Sequence, residues 1–293
     1  MKSILKTITC VLLIAVVVLA LVGCNQAGES VTQEGDGEIT QQELVEKAIS
    51  AQEGVKTSQF DMKMSVDMSG ETSEQKLDMS MAYDMSGKVD RVNKRMQMTV
   101  IISMDMPQQE EDSQSVQGRM TIYSLADAMY MKMSVPGTPE QWTKSPMPEG
   151  SWENRINQQI ELLEESQIAI SGEETVENVS CYAVEFTPSK EKMWELIQQQ
   201  WPGQTTQDKP SNLDEIIQSM DLKQWIDKDT FLPVKEETQI TMEISPEAMQ
   251  MPTSEGGKME MTMDIVANYH SYNEPVSIEL PPEAENAEMQ TTE

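Results

Sequence analysis

Phe60-Asp-Met-Lys-Met-Ser-Val-Asp-Met68 opens a run of alternating apolar and polar residues that decides the fold. The alternation recurs in Leu77-Asp-Met-Ser-Met-Ala-Tyr-Asp-Met85 and in Met96-Gln-Met-Thr-Val-Ile-Ile-Ser-Met-Asp-Met106. Successive side chains of a strand point to opposite faces of a sheet, so a period of two predicts one apolar and one polar face. The sequence therefore predicts three neighbouring strands whose apolar face consists mostly of methionine.

Similar alternation returns in residues 128–135 and 258–269, and helical periodicity lies between the strand segments. We count about ten strands and three or four helices, with most strands adjacent in sequence and joined by short turns. This order predicts an α+β fold. We expect one large curved antiparallel β-sheet, a half-barrel, with helices packed on or plugging its concave face.

The N-terminus has the pattern of a lipoprotein signal peptide. Lys2 and Lys6 precede an apolar run at residues 11–22, which is short for a membrane span. Leu21-Val-Gly-Cys24 resembles the bacterial lipobox, in which the cysteine becomes the first mature residue and carries diacylglycerol. We therefore predict a signal peptide over residues 1–23, a lipid-modified (acylated, palmitate-bearing) Cys24, and a location on the extracytoplasmic side of the cell membrane. The alternative is an uncleaved membrane anchor.

The remaining boundaries follow from composition and capping. Residues 24–39 are rich in Gln, Glu, Gly and Ser and are interpreted as a flexible spacer. Thr40 and Glu43 form a capping-box pattern at the start of a helix, which opens one domain over residues 40–280. Residues 281–293 are acidic and are predicted to be a disordered tail.

Charge and residue usage exclude several function classes. A formal net charge of −29 repels nucleic acid, so no nucleic-acid partner is expected. His270 is the single histidine, and Cys181 is the single cysteine expected to keep a free thiol after processing, with no basic neighbour in sequence to activate it. We find no pattern for catalytic residues, a metal site or a cofactor, and predict that the protein is not an enzyme.

Several segments together resemble a known group of lipoproteins. They are the lipobox at Cys24, the amphipathic strands, Ala128-Met-Tyr-Met-Lys132, Gln141-Trp-Thr-Lys144 and Trp225-Ile-Asp-Lys-Asp-Thr-Phe-Leu-Pro-Val234. The chain resembles the LolA/LolB/LppX-like lipoproteins and lipid carriers, and is closest to a methionine-rich branch from Gram-positive bacteria whose function is not established. The resemblance implies a curved sheet closed by helices around a cavity for acyl chains, and it brings no active site.

The 25 methionines have three interpretations. First, they can form an ordinary filled core in a structural or sensory envelope lipoprotein that has a protein partner. Second, they can line an adaptable cavity for a lipid or other hydrophobic ligand. The third and less favoured interpretation is that their thioethers bind Cu(I). We predict the second, a membrane-anchored lipid-binding lipoprotein. The candidate cavity residues are Met62, Met64, Met79, Met81, Met96, Met98, Met129, Met131, Met261 and Met263.

Overall fold

A computed structural model describes residues 39–71, 76–106, 114–147, 152, 166–193, 213–244 and 259–289. Its helices are α1 (Gln41–Glu53), α2 (Leu213–Ile216) and α3 (Pro282–Glu285). Its strands are β1 (Thr57–Glu71), β2 (Lys76–Asp90), β3 (Arg95–Met106), β4 (Gln114–Ser124), β5 (Ala128–Ser134), β6 (Gln141–Pro146), β7 (Gln167–Val176), β8 (Val179–Thr187), β9 (Ile217–Asp227), β10 (Pro233–Ile244), β11 (Met259–His270) and β12 (Glu288–Met289).

The twelve strands form one open sheet in the order β12-β6-β5-β4-β3-β2-β1-β11-β10-β9-β8-β7. Neighbouring strands of the sheet are also adjacent in sequence, except where β1 lies beside β11 and β6 beside β12. The pairings along β1 to β6 and between β7, β8 and β9 are antiparallel, whereas β12 runs parallel to β6. The predicted α+β fold with one large, mainly antiparallel sheet is therefore confirmed.

The described residues divide into two compact units. The first holds residues 39–54, 166–193, 213 and 221–237, and the second holds the remaining described residues. In the second unit, β1 pairs with β2 on one side and with β11 on the other. Met62, Met64 and Val66 in β1 are buried, whereas the intervening Lys63 and Asp67 are exposed. The alternation predicted for these strands is confirmed.

Helix α1 begins in the first unit as its capping pattern predicts. The Thr40 hydroxyl oxygen accepts a hydrogen bond of 3.1 Å from the Glu43 backbone N–H. The Glu43 carboxylate instead pairs with Lys47 one turn later, at 2.7 Å, so only the threonine half of the predicted capping box is present. The helix buries one stripe of side chains, consisting of Leu44, Ala48 and Ile49.

The β7–β8 hairpin of the first unit turns later than the sequence suggests. Gly172 separates two strand-like patterns at residues 166–170 and 178–186 and so predicts a turn, but it lies within β7 at a shift of register and adopts a φ of 148°, which favours glycine. The chain reverses at Glu177 and Asn178, whose φ angles are 51° and 70°. Two consecutive residues with positive φ are typical of a tight hairpin turn that matches the twist of its strands.

The C-terminal segment differs from its prediction. We expected a disordered tail from residue 281, whereas residues 282–285 form α3 and Glu288 and Met289 form β12. The alternation of Val276, Ile278 and Leu280 predicts an edge strand at residues 276–280, but these residues have no strand conformation. Apolar packing explains both differences, because the segment contributes to a cluster in the second unit. Its members are Tyr123, Ala128, Tyr130, Ile278 and Ala284, with Leu125, Trp142, Val276, Leu280 and Ala287 packed against them.

Candidate ligand-binding face

Four adjacent strands of the second unit share one apolar face, which we call the methionine face. Every side chain that defines it is between 0% and 5% exposed. The defining residues are Phe60, Met62, Met64, Val66 and Met68 on β1; Met81, Tyr83 and Met85 on β2; Met98, Val100, Ile102 and Met104 on β3; and Met259, Met261, Met263, Ile265 and Ala267 on β11.

The strand register aligns these side chains in rows across the sheet. One row consists of Met263, Val66, Met81 and Met104. The next consists of Ile265, Met64, Tyr83 and Ile102, and a third of Ala267, Met62, Met85 and Val100. Neighbouring strands lie about 4.8 Å apart, so side chains in one row are in contact range across the strands. Each of these three rows mixes flexible thioethers with branched or apolar side chains, whereas the row beside the first, formed by Met261, Met68 and Met79, consists of methionine alone.

Tyr83 is the polar exception near the centre of the methionine face. It is 1% exposed, and its hydroxyl donates a hydrogen bond of 3.4 Å to the thioether sulfur of Met81. Thioether sulfur is a weak acceptor, so this hydroxyl keeps much of its hydrogen-bonding capacity. Burial raises the pKa of Tyr83, and the phenol is neutral at physiological pH. The face therefore contains one neutral donor among apolar groups.

The structure brings six of the ten predicted cavity methionines onto the methionine face. These are Met62, Met64, Met81, Met98, Met261 and Met263, each at most 2% exposed. The other four, Met79, Met96, Met129 and Met131, are half-buried; register and alternation place them on the same side of the sheet, beyond the buried side chains that define the methionine face. Met129 and Met131 lie on β5, where the fully buried side chains are instead Ala128 and Tyr130 of the opposite face. The C-terminal segment covers that opposite face, which sequence alternation alone does not reveal.

The single histidine lies in a chain of polar contacts at the end of β11. His270 Nε2 is 3.1 Å from an Asp61 carboxylate oxygen, and Nδ1 is 3.2 Å from the Ser271 hydroxyl. Asp61 and His270 are neighbours in the β1–β11 register. Their side chains are 63% and 47% exposed, so water competes with these contacts and surrounds both groups. The arrangement lacks the burial that positions and activates a hydrolytic triad.

Cys181 packs in the first unit and has no activating neighbour. It is 0% exposed in a cluster with Ala183 and Trp225. Burial and the nearby Asp227 raise the pKa of its thiol, which disfavours the reactive thiolate. Among the described residues there is also no group of three or more His, Cys, Asp or Glu side chains placed to hold a metal ion.

Two features that the sequence predicts for membrane attachment lie outside the described residues, namely the signal peptide and Cys24. Within the described part of the chain, no helix has the length and apolar character needed to cross a bilayer.

Comparison with known proteins gives one family match. The model of the family of unknown function DUF6612 matches residues 40–289. No curated protein sequence matches the chain.

Solved structures similar to this chain include two mycobacterial proteins, one of them the lipoprotein LppX. LppX from Mycobacterium tuberculosis has 12% identity and a TM-score of 0.39, covering 80% of this chain and 96% of its own. LprF from Mycobacterium bovis has 9% identity and a TM-score of 0.36, covering 82% and 96%. An outer membrane lipoprotein-sorting protein domain from Vibrio parahaemolyticus has 13% identity and a TM-score of 0.23, covering 80% and 93%.

Proposed function

The chain belongs to the family of unknown function DUF6612, and we propose that it is a membrane-anchored, extracytoplasmic lipoprotein that binds a lipid or similar hydrophobic ligand. The observation that carries this proposal is the methionine face, on which ten methionines from four strands share one surface with only a few branched and aromatic residues. We propose a binding protein and not an enzyme, because the polar contacts at His270 are exposed and the Cys181 thiol is buried.

Thioether side chains suit a ligand of variable shape. Methionine is unbranched and polarizable, and it repacks around different partners more readily than leucine or isoleucine. The side chains of the methionine face are at most 5% exposed, so a ligand reaches them by displacing protein atoms that cover them. Repacking of this kind requires flexible side chains, and the face supplies them.

The Tyr83 hydroxyl adds a polar contact within this apolar surface. Its partner is a thioether sulfur at 3.4 Å, which a ligand carbonyl or ether oxygen would replace with a stronger acceptor. A ligand with a long apolar chain and one or two oxygen atoms therefore fits the chemistry of the face best. Each methylene moved from water contributes about 0.8 kcal/mol, which corresponds to roughly a fourfold gain in affinity per carbon.

A chain-length series tests the binding proposal. The chain lacking residues 1–24 would be produced in the cytoplasm, analysed by native mass spectrometry for co-purifying molecules, and titrated with straight-chain monoacylglycerols of increasing length. We expect affinity to rise by roughly fourfold per carbon until the chain exceeds the site. A protein that carries no ligand and binds none of the series up to its solubility limit would contradict the proposal.

A matched pair of variants on β1 separates the two faces. Met64→Gln places a buried amide on the methionine face, whereas Ser65→Gln places the same amide on the next residue, which points away from that face. We expect Met64→Gln to weaken binding at least tenfold and Ser65→Gln to leave it unchanged, because only the first desolvates a polar group at the site. Circular dichroism of both variants verifies that they are folded.

The anchor is tested independently of the ligand. Cells grown with an alkyne-bearing palmitate should label the full chain, and Cys24→Ser should abolish both the label and the membrane association. Cys10→Ser changes a cysteine that leaves with the signal peptide, so it should keep both. Label retained by the Cys24→Ser variant would refute acylation at this residue.

The near-zero exposure of the methionine face also favours a second candidate. If the covering protein atoms do not move, the face is a filled core, and the protein acts as a structural or sensory envelope lipoprotein through a protein partner. The two candidates predict opposite results in one measurement. Ligand raises the melting temperature of a binding protein with the logarithm of one plus its concentration over Kd, whereas a filled core is unaffected.

A further inference from the structure

The turn between β2 and β3 is basic, although the chain as a whole is strongly acidic. Residues 88–95 read Lys-Val-Asp-Arg-Val-Asn-Lys-Arg and hold four cations and one carboxylate, a net charge of +3. The whole chain has a formal net charge of −29. Acidic residues elsewhere repel an anionic partner, so an attraction to such a partner requires a local concentration of cations like this one.

A backbone hydrogen bond brings a fifth cation to the same corner of the second unit. The Arg91 backbone N–H donates a hydrogen bond of 2.9 Å to the carbonyl oxygen of Lys56, the residue that directly precedes β1. Lys56, Lys94 and Arg95 are exposed, whereas Lys88 and Arg91 are half-buried. We call these five residues the basic corner, and they gather at one end of the three neighbouring strands β1, β2 and β3.

Val92 lies at the tip of the basic corner and is 67% exposed. Tight turns usually carry Gly, Asn or Asp, so a branched apolar side chain is an unusual choice here. The turn is held in place by Asp90, which accepts hydrogen bonds of 3.0 Å from the Asn93 backbone N–H and 2.7 Å from the Asn93 side-chain nitrogen. A single exposed valine is ordinary on a protein surface, but this one is presented on a braced turn between cations.

An apolar tip flanked by cations matches the surface of an anionic bilayer. Valine enters the interface between headgroups and acyl chains, while Lys and Arg lay their apolar stems beside it and keep their charges at the phosphates. The predicted tether favours a bilayer over an acidic protein as the partner. The spacer after Cys24, residues 25–39, spans at most about 50 Å, so the tether keeps the chain near the membrane at a high effective concentration.

We propose that the basic corner docks on anionic lipid headgroups of the membrane, with Val92 entering the interface. The inference rests on the proposed membrane location and does not depend on the proposed hydrophobic ligand. It goes beyond the lipid anchor, because an anchor at a flexible spacer fixes no orientation and does not distinguish one headgroup from another. A second contact through the basic corner orients the second unit and selects anionic over zwitterionic lipid.

Spin labelling of the full, lipid-anchored chain tests the docking. A nitroxide is attached to Val92→Cys or, as a control position, to Val116→Cys. Val116 is 37% exposed and pairs with Met104, about 30 Å along β3 from the turn. Cys181 is 0% exposed, so a brief reaction labels the introduced cysteine.

Each labelled protein is placed in vesicles of phosphatidylcholine alone or of an equal mixture with phosphatidylglycerol. The measured quantity is the accessibility of the nitroxide to oxygen, which concentrates in the bilayer, divided by its accessibility to a water-soluble nickel complex. We expect this ratio at position 92 to be roughly fivefold higher on the anionic vesicles, and the ratio at position 116 to be the same on both. High salt should reduce the difference at position 92, because it screens the charges.

A matched pair of double variants assigns the effect to the basic corner. Lys88→Gln with Lys94→Gln should lower the docking equilibrium constant by about 25-fold, since each cation near an anionic surface contributes about fivefold. Lys63→Gln with Lys132→Gln removes the same charge from β1 and β5, away from the turn, and should leave docking unchanged. Both double variants are compared in the Val92→Cys protein.

Each outcome decides the proposal. Equal ratios at position 92 on the two vesicle types overturn it, as does a rise at both labelled positions or an equal loss in the control double variant. If soluble polyglutamate shields the nitroxide and vesicles do not, the basic corner is a protein-docking surface and the membrane proposal is wrong. A chain that does not float with the vesicles contradicts the lipid anchor of the proposed function. In that case the ratios are measured on the same chain mixed with vesicles, and the same criteria decide docking.

Discussion

Gly87 should be the position where the methionine face tolerates the least additional volume. In the β1–β2 register Gly87 lies opposite Phe60, which is 4% exposed. A Cβ atom placed on Gly87 would lie 2.3 Å from Phe60 Cζ and 3.1 Å from the Gln97 backbone oxygen. The ring of Phe60 occupies the space that a side chain at position 87 would need.

The overlap sets the expected magnitude for Gly87→Ala. Carbon atoms in contact are separated by about 3.5–4.0 Å, so the Phe60 ring must move by more than 1 Å within a packed face. Overpacking of this kind costs about 1–3 kcal/mol. Alanine is otherwise preferred to glycine within a strand by about 0.5–1 kcal/mol, so a net loss of stability reverses the usual sign.

Urea unfolding followed by far-UV circular dichroism measures this effect. Gly118→Ala is the matched control, because its Cβ would meet Val135 Cγ2 at 3.5 Å and Ser134 O at 3.6 Å, which are ordinary contacts. We expect Gly118→Ala to be neutral or slightly stabilising and Gly87→Ala to be destabilising. In a double-mutant cycle with Phe60→Leu, the cost of Gly87→Ala should fall close to zero. Equal stability of the two alanine variants, or an absence of coupling to Phe60, would refute the reasoning.

Three further predictions concern single side chains. Burial raises the pKa of Tyr83, so the neutral phenol favours the folded state below the unfolded-state pKa of about 10, and this contribution falls above that pH by about 1.4 kcal/mol per pH unit. Tyr83→Phe should therefore lose stability less steeply than the parent between roughly pH 9 and 11. Parallel stability curves for the two proteins would count against this role of Tyr83. Lys223 and the Trp225 indole each donate a hydrogen bond of 2.8 Å to Glu174 and lower the pKa of its carboxyl group. The stabilising contribution of Glu174 is therefore present above its unfolded-state pKa of about 4.3 and is lost as the pH falls through its lower folded-state pKa. Trp225 fluorescence should shift in this pH range in the parent, and Glu174→Gln should not show the shift. In the chain lacking residues 1–24, the buried Cys181 thiol should react with a disulfide reagent on the order of 100-fold more slowly in buffer than in urea. The reason is that a local opening with a free-energy cost of about 3 kcal/mol must precede the reaction. Similar rates in buffer and in urea would show that the thiol is accessible.

Local pattern predicted the strands of the second unit, because their side chains alternate in polarity with the period of a strand. The same pattern could not predict that β1 pairs with β11, since the two segments are far apart in sequence and many strands carry a similar apolar face. The C-terminal segment was also misjudged. Val276, Ile278 and Leu280 alternate as in a strand, but they pack on the aromatic side chains of β4 and β5 without joining the sheet ladder.

The sequence also carries a signal for the buried hydrogen bond between Gln224 and Glu236 in the first unit. Leu222-x-Gln224-x-Ile226 has the alternation of a strand with one polar residue on its apolar face, and Glu236 is similarly out of step before Ile240 and Met242. A single polar residue in such a pattern is ambiguous, because bulges and strand ends also place polar residues there. The three-dimensional pairing of Gln224 with Glu236 distinguishes a buried interaction from a local irregularity.

The choice of methionine over leucine has an energetic consequence for the methionine face. Ordering a buried methionine costs up to about 1.5–2 kcal/mol in side-chain entropy, compared with about 0.5–1 kcal/mol for leucine. Across the ten methionines of the face, the difference is on the order of 5–15 kcal/mol, which is comparable to the whole stability of an ordinary domain. A permanently filled core of leucine and isoleucine would avoid that cost. If the thioethers instead retain rotamer freedom while buried, much of the cost is not incurred, and the same freedom allows the face to rearrange around a ligand. Methionine content of this kind therefore favours a binding surface over a static core.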